Sequence, residues 1–194
     1  MPIRFRSRKV PLAGAVLALA AGALTAPLYA VEGSGSSSSN HVKVELVNAS
    51  GADVGFVKLT EQGGKVIVRG EIEGLTPGFH GFHVHAVGQC VAPFTSAGGH
   101  YNPAGVDHGS HAGDMPSLLV VDDGSAEGQF STDNFSIAEL FDADGSAIIV
   151  HAGPDNFANI PTRYQSTTEG VFGPDSATLA TGDAGARVAC GVVD

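Results

Sequence analysis

Residues 41–75 read HVKVELVNASGADVGFVKLTEQGGKVIVRGEIEGL, and this stretch decides the fold class. Val42, Val44 and Leu46 alternate with His41, Lys43 and Glu45, the period-two pattern of a half-buried strand. The turn ASGA leads into DVGFVKL, and EQGG leads into KVIVRGEIEGL. There Val66, Val68 and Ile72 share a parity opposite to Lys65, Arg69 and Glu71. Further on, SLLVV, DDGS and AEGQF read as a hairpin, and SAIIVHAG and ARVACGVV as strands buried on both faces. The one helical signal is SIAELF from Ser136, with Glu139 at capping-box spacing. Short strands separated by Gly-rich turns predict an all-β, antiparallel sandwich or barrel.

Composition agrees with that reading. The chain has 194 residues, enough for one domain with a sizeable core. A charged fraction of 15%, with 27 Gly and 10 Pro, excludes a coiled coil or a solvated disordered chain. A formal net charge of −10 excludes nucleic acid as a partner. The charge is unevenly placed: Arg4, Arg6, Arg8 and Lys9 open the chain, and no charge follows from Val10 to Val31. With small residues before Ala30, this predicts a secretory signal over residues 1–30, cut after APLYA. An uncleaved anchor is the competing reading, because the uncharged run could span a bilayer. Pro11, Pro27 and the many Ala and Gly weigh against it, so no stable membrane insertion is expected once the signal is removed. Residues 31–40, VEGSGSSSSN, read as a flexible Gly/Ser tether, which leaves 41–194 as the folded domain. The predicted destination is the periplasm, cell envelope or exterior. In an exported chain the only cysteines, Cys90 and Cys190, read as a disulfide, worth about 4–5 kcal/mol in the chain-entropy model.

The histidines carry the chemistry. Six of the 8 fall between residues 80 and 111. His83 and His85, at i and i+2 of a strand, send their rings off one face, close enough to hold one metal. His100, His108, His111 and Asp114 sit in a Gly-, Pro- and Asn-rich loop, and three imidazoles with a carboxylate suit a tetrahedral divalent ion, zinc first. His151 ends the apolar run AIIV, where an ordinary strand has no use for a titratable ring. His41, beside the tether, and His80, of the wrong parity to join His83 and His85, read as solvated or hydrogen-bonded rings.

Taken together, GFHVHAVGQC (81–90), GGHYNP (98–103), HAGD (111–114), IIVHAGPD (148–155) and GDAGARVACGVV (182–193) resemble the signature segments of the copper/zinc superoxide dismutases, most closely the exported bacterial members. The resemblance implies a Greek-key, immunoglobulin-like β-sandwich or barrel with long metal-binding and channel loops. It implies one copper per subunit on His83, His85, His100 and His151, and one zinc on His100, His108, His111 and Asp114, with His100 shared. It also implies a Cys90–Cys190 disulfide, Arg187 as the anion-guiding residue beside copper, and Asp155 as a carboxylate linking His83 to His108. Gly81, Gly98 and Gly99 would allow close backbone approach at the ligands. The implied activity is dismutation of the superoxide anion, with Arg187 and His100 acting in catalysis. Two rivals stand beside it. A non-catalytic copper-binding or copper-delivery module would be expected to lose a copper histidine or the arginine. A zinc hydrolase would need an open zinc position, whereas this zinc set is closed by four protein ligands. The strand pattern names no interface and leaves a homodimer open.

Two features depart from the family's commoner pattern. The segment from Val91 to Gly99 carries no charge, and Arg163 is the only basic residue between His151 and Arg187. Without the four basic residues of the signal, 6 basic residues face 20 acidic ones, a net of −14. Electrostatic attraction of an anion to the site is therefore expected to be weak.

Overall fold

The alternation along residues 41–72 is realised as a three-strand meander, β1 (His41–Asn48), β2 (Asp53–Gln62) and β3 (Lys65–Ile72). The computed structural model describes residues 41–194, so the signal and tether expectations lie outside the described residues. Six further strands follow: β4 (Gly78–His80), β5 (Phe82–His85), β6 (Leu118–Val120), β7 (Ala126–Thr132), β8 (Ser146–His151) and β9 (Arg187–Val193). Their order in the main sheet is β5-β8-β9-β1-β2-β3-β7, all antiparallel, with β4 and β6 forming a separate pair. The sheet curls into a Greek-key barrel. Val44, Leu46, Val57, Leu59, Val66, Val68 and Ile72 meet Phe82, Val84, Ile148, Val150 and Ala189 in one core.

The meander is covered on one face only, which is why its pattern alternates. β8 is buried along its whole length, on both faces. Its second face carries a smaller apolar cluster of Ala147 and Ile149 with Cys190, Phe94 and Ala97. The long loop after β5 supplies that cover.

The hairpin expected over residues 117–130 is corrected by the structure. Its turn closes, with the Val121 amide donating to Ser125 O at 2.8 Å, but the strands part. β6 pairs with β4, and β7 pairs with β3 from Val66↔Thr132 to Ile72↔Ala126. Alternation identifies a strand but not its partner, and the long register with β3 outweighs the local turn. SIAELF forms a 3₁₀ turn, Ala138–Phe141, in place of an α-helix, although Ser136 and Glu139 do bond reciprocally as a capping box. The α-helix among the described residues, α1 (Ser176–Thr181), was not anticipated. Its signal was present: Asp175 caps it by accepting from the Thr178 amide, and Gly182 ends it at φ 62°.

Candidate metal centre

His83 and His85 lie opposite Ile149 and Ala147 of β8, so their rings leave the barrel on the side of the smaller apolar cluster. A β-bulge between Val150 and His151 pairs His151 with Arg187 and turns both toward the same place. The loop after β5 folds back along β5. The Ala86 amide donates to Gly99 O (3.0 Å), Tyr101 N to Val84 O (2.8 Å) and Val84 N to Gly113 O (2.9 Å). This sets His100 beside His85 and Asp114 beside His83.

The rings converge in two groups. His83, His85, His100 and His151 bring one nitrogen each within 4.8 Å of one another, and His100, His108, His111 and Asp114 do the same. In the first group the outward nitrogens are already engaged: His83 Nε2 donates to Asp155 Oδ2 (2.6 Å), His85 Nδ1 to Gly98 O (3.0 Å) and His151 Nδ1 to Gly185 O (3.0 Å). Each N–H used in this way leaves a lone pair on the inward nitrogen. His83 Nδ1 and His100 Nε2 are buried with no partner, and His85 Nε2 and His151 Nε2 face each other at 3.4 Å. Buried lone pairs without donors are costly in a folded protein, and they are what a metal ion satisfies.

In the second group Asp114 Oδ1 stands 2.9 Å from His100 Nδ1, 3.2 Å from His108 Nδ1 and 3.3 Å from His111 Nδ1. Its Oδ2 accepts the backbone amides of Gly109 (2.7 Å) and His111 (3.0 Å), which fixes the carboxylate with Oδ1 inward. Three imidazole nitrogens and one carboxylate oxygen match a closed tetrahedral site. His100 belongs to both groups, Nε2 in the first and Nδ1 in the second. Asp155 joins them from behind, accepting His83 Nε2 on Oδ2 and His108 Nε2 on Oδ1 (2.8 Å).

His80 takes no part, as its parity implied. It is buried, with its nitrogens on His151 O (2.6 Å) and Thr76 O (2.8 Å). His41 lies exposed at the start of β1. A Cβ at Gly81 would meet Ala184 Cβ at 2.6 Å, whereas Gly99 has open space around it, so the expected crowding at Gly99 is corrected.

A cleft of about 450 Å³ opens on this centre, lined by His100, His151, Thr181, Asp183 and Arg187 among others. The Arg187 guanidinium donates to Phe94 O (2.5 Å) and Gly98 O (2.6 Å), which anchors it to the same loop that carries His100. Asp183 escaped the sequence reading, although it stands four residues before Arg187. Its carboxylate accepts from Thr178 Oγ1 (2.6 Å) and Asn156 Nδ2 (2.7 Å).

Electrostatics divide the two groups. Burial, reinforced by neighbouring positive charge, pushes His85 down to about 2 and His151 to about 4, and burial also lowers His83. These rings are neutral at pH 7 and ready for a metal. Burial opposes charge on His108 too, but the Asp114 carboxylate 3.2 Å from its Nδ1 and the hydrogen bond to Asp155 win and raise it to about 9. Asp114 and Asp155 are both held well below the usual carboxylate range, because the histidine N–H groups outweigh their burial. The raised His108 value means that its proton stabilises the metal-free fold fully below about pH 6.5, and that this contribution is lost as pH rises through about 9. Zinc uptake at pH 7.5 should therefore release about one proton, and the release should fade above pH 9. Calorimetric titration in buffers of different ionisation enthalpy measures it.

Cys90 and Cys190 are joined by a disulfide with Cα atoms 5.7 Å apart. It ties the loop that carries Arg187's two acceptors to β9, beside Phe94, Ala97 and Ile149. Reduction should lower stability by up to about 4–5 kcal/mol and speed metal loss, as read by calorimetry and chelator competition.

Residues 53–193 match the family described as copper/zinc superoxide dismutase (SODC), and the chain belongs to that family. The Cu-Zn superoxide dismutase of Mycobacterium tuberculosis is 51% identical over 130 residues, 61% of this chain and 54% of that protein, so the chain spans about half of its length. Cu-Zn superoxide dismutase 2 of Brassica juncea is 36% identical over 157 residues, 77% of this chain and 95% of that protein. Among solved structures, the Cu/Zn superoxide dismutase of Brucella abortus superposes with a TM-score of 0.60 at 29% identity, covering 79% of this chain and 99% of that one. A double mutant of a SOD-like protein from Bacillus subtilis superposes with a TM-score of 0.63 at 32% identity, covering 78% and 95%.

Proposed function

We propose that the protein converts two superoxide anions and two protons into dioxygen and hydrogen peroxide, with copper on His83, His85, His100 and His151 and zinc on His100, His108, His111 and Asp114. The observation that carries this reading is His100, whose unpartnered, buried Nε2 faces one group while its Nδ1 faces the other. Copper, when bound, would supply reversible one-electron transfer, and zinc, which has no redox chemistry, a fixed charge.

The chain supplies the rest. His100 Nε2 is the atom able to take up a proton in one half of the cycle and return it in the other, while its Nδ1, 2.9 Å from Asp114 Oδ1, stays within the second ligand group. Arg187, fixed by two carbonyls, leaves further N–H donors and its charge for a small anion entering beside His151. A copper-delivery module on the same fold is the weaker reading, since no copper histidine is missing and Arg187 is anchored in the cleft. Metal analysis of the purified protein, paired with a superoxide consumption assay, separates the two. One copper and one zinc with rapid consumption support the dismutase, and full activity without copper would refute it.

Attraction of the anion should be weak. Arg187 is the one cation among the residues lining the cleft, and Asp183 lies there with it. Arg163 stacks over Tyr164 at 4.8 Å and does not line the cleft. Lys65 and Arg69 are spent on Asp133, Glu71 and Glu127 along β3. At physiological salt distant acids are screened beyond about 8 Å, so contact-range charge dominates. The rate should change little, or rise, as salt is added, and Arg187→Glu should cost more than Arg187→Ala. A steep fall between low and physiological salt would contradict this.

Export to the periplasm, envelope or exterior belongs to the same proposal. It is supported by the disulfide, and among the described residues no helix is long and apolar enough to cross a membrane.

A further inference from the structure

Three independent contacts converge on Phe157, which lies outside both ligand groups. Its amide donates to Asp155 Oδ1 at 2.7 Å, the same oxygen that accepts His108 Nε2. Its ring lies nearly parallel to the His108 ring, 14° between planes with centroids 6.5 Å apart. Its carbonyl packs against Gly109 of the metal loop so closely that a Cβ there would sit 2.5 Å from the oxygen. Phe157 achieves this in the left-handed region, φ 54°, and Ala158 follows at φ 52°. Neither is glycine, and such a conformation persists only where its surroundings over-determine it. They do so here: Asn156 is held by Gly182 O (2.9 Å) and Asp183 (2.7 Å), and the Ala158 amide by Asn156 Oδ1 (2.8 Å).

We infer that Phe157 is a positioning residue for the zinc group, setting how fast zinc leaves. This rests on the zinc assignment made above. For zinc to leave, His108 must turn away. The Phe157 ring lies nearly parallel to that imidazole and alongside it, with 6.5 Å between centroids, and the Phe157 N–H keeps the Asp155 carboxylate from rotating off Nε2. The ring itself is partly exposed, 42% for the residue, so it shields the site rather than filling the core.

The test compares Phe157→Ala, Phe157→Gly and Phe157→Tyr in the full protein, by release of Zn2+ to a chromophoric chelator, the ligand-field spectrum of bound Co2+, and melting of the metal-free protein. Phe157→Gly keeps the amide, relieves the left-handed backbone and deletes the ring. It should melt close to the unaltered protein and still lose zinc about 10-fold faster, at the low end of what outer partners contribute. Phe157→Ala should do the same with a lower melting point and a shifted Co2+ spectrum, and Phe157→Tyr should restore both. Unchanged zinc release in Phe157→Gly, or release that merely follows melting temperature, overturns the inference. Failure of the unaltered protein to bind Co2+, or binding unaffected by His111→Ala, would overturn the zinc assignment itself and the inference with it.

Discussion

His100→Ala should strip the protein of both metals and leave superoxide consumption at the metal-free background. Among the described residues, no other side chain belongs to both sets of ligand atoms. Its ring centroid lies 4.0 Å from that of His83, 4.9 Å from His85 and 5.1 Å from His108. Its Nε2 has no partner, and its Nδ1 lies 2.9 Å from Asp114. Removing the ring deletes a donor from each set and opens a space between them. The loss in affinity for each metal should exceed the roughly 10–100-fold typical of outer-shell changes. His151→Ala should cost copper and activity while sparing zinc, and His111→Ala the reverse for metal content. Elemental analysis of the three variants reads the pattern. A His100→Ala protein that keeps either metal at full occupancy would refute the shared role.

The second large effect is expected at Gly182, far less conspicuous in the sequence. Gly182 ends α1 at φ 62°, with its amide on Thr178 O (2.9 Å). A Cβ there would collide with Asp155 Oδ1 and His108 Nε2, the two atoms of the hydrogen bond behind the second ligand group. Neither atom has room to retreat, because Asp155 also holds His83 and the His108 amide is bonded to Leu179 O (2.8 Å). Gly182→Ala should lower zinc affinity about 10–100-fold and destabilise the fold. Part of any destabilisation is the left-handed backbone, about 1–2 kcal/mol. Gly63→Ala isolates that part, since Gly63 has φ 61° with nothing within 4 Å. Equal effects in the two variants, with zinc affinity intact, would contradict the collision argument.

Much of this was legible beforehand, for identifiable reasons. β1 to β3 are covered on one face, so burial imprints alternation on Val44, Leu46, Val66 and Val68. β8 and β9 read as continuous apolar runs because both faces are covered. His83 and His85 sit two residues apart on one strand, where strand geometry alone dictates that their rings share a face. What stayed hidden depends on contacts between segments distant in sequence. The partners of β6 and β7 are set by β4 and β3. The gathering of Asp155, Phe157, Gly182 and His108 at one point needs α1 to dock on the metal loop, through His108 N to Leu179 O. The helix itself is six residues long, too short for periodicity, and only its caps, Asp175 and Gly182, betray it.

The docking of the metal loop on β5 also bears on solubility. β5 is the last strand of the main sheet; the outer amide and carbonyl of its Val84 are satisfied by Gly113 and Tyr101 of that loop, and the Ala86 amide just beyond it by Gly99. The cover is held by Cys90–Cys190, by Arg187 and by whatever ion His100 and Asp114 share with His108 and His111. If those ties are cut, a short, now-buried, hydrogen-bond-hungry edge is uncovered, a ready template for a strand from another molecule. Reduced and metal-free, the chain should therefore be far more prone to aggregate than its loss of folding free energy alone would suggest. The residues proposed to hold the metals double as the guard that keeps its sheet from growing.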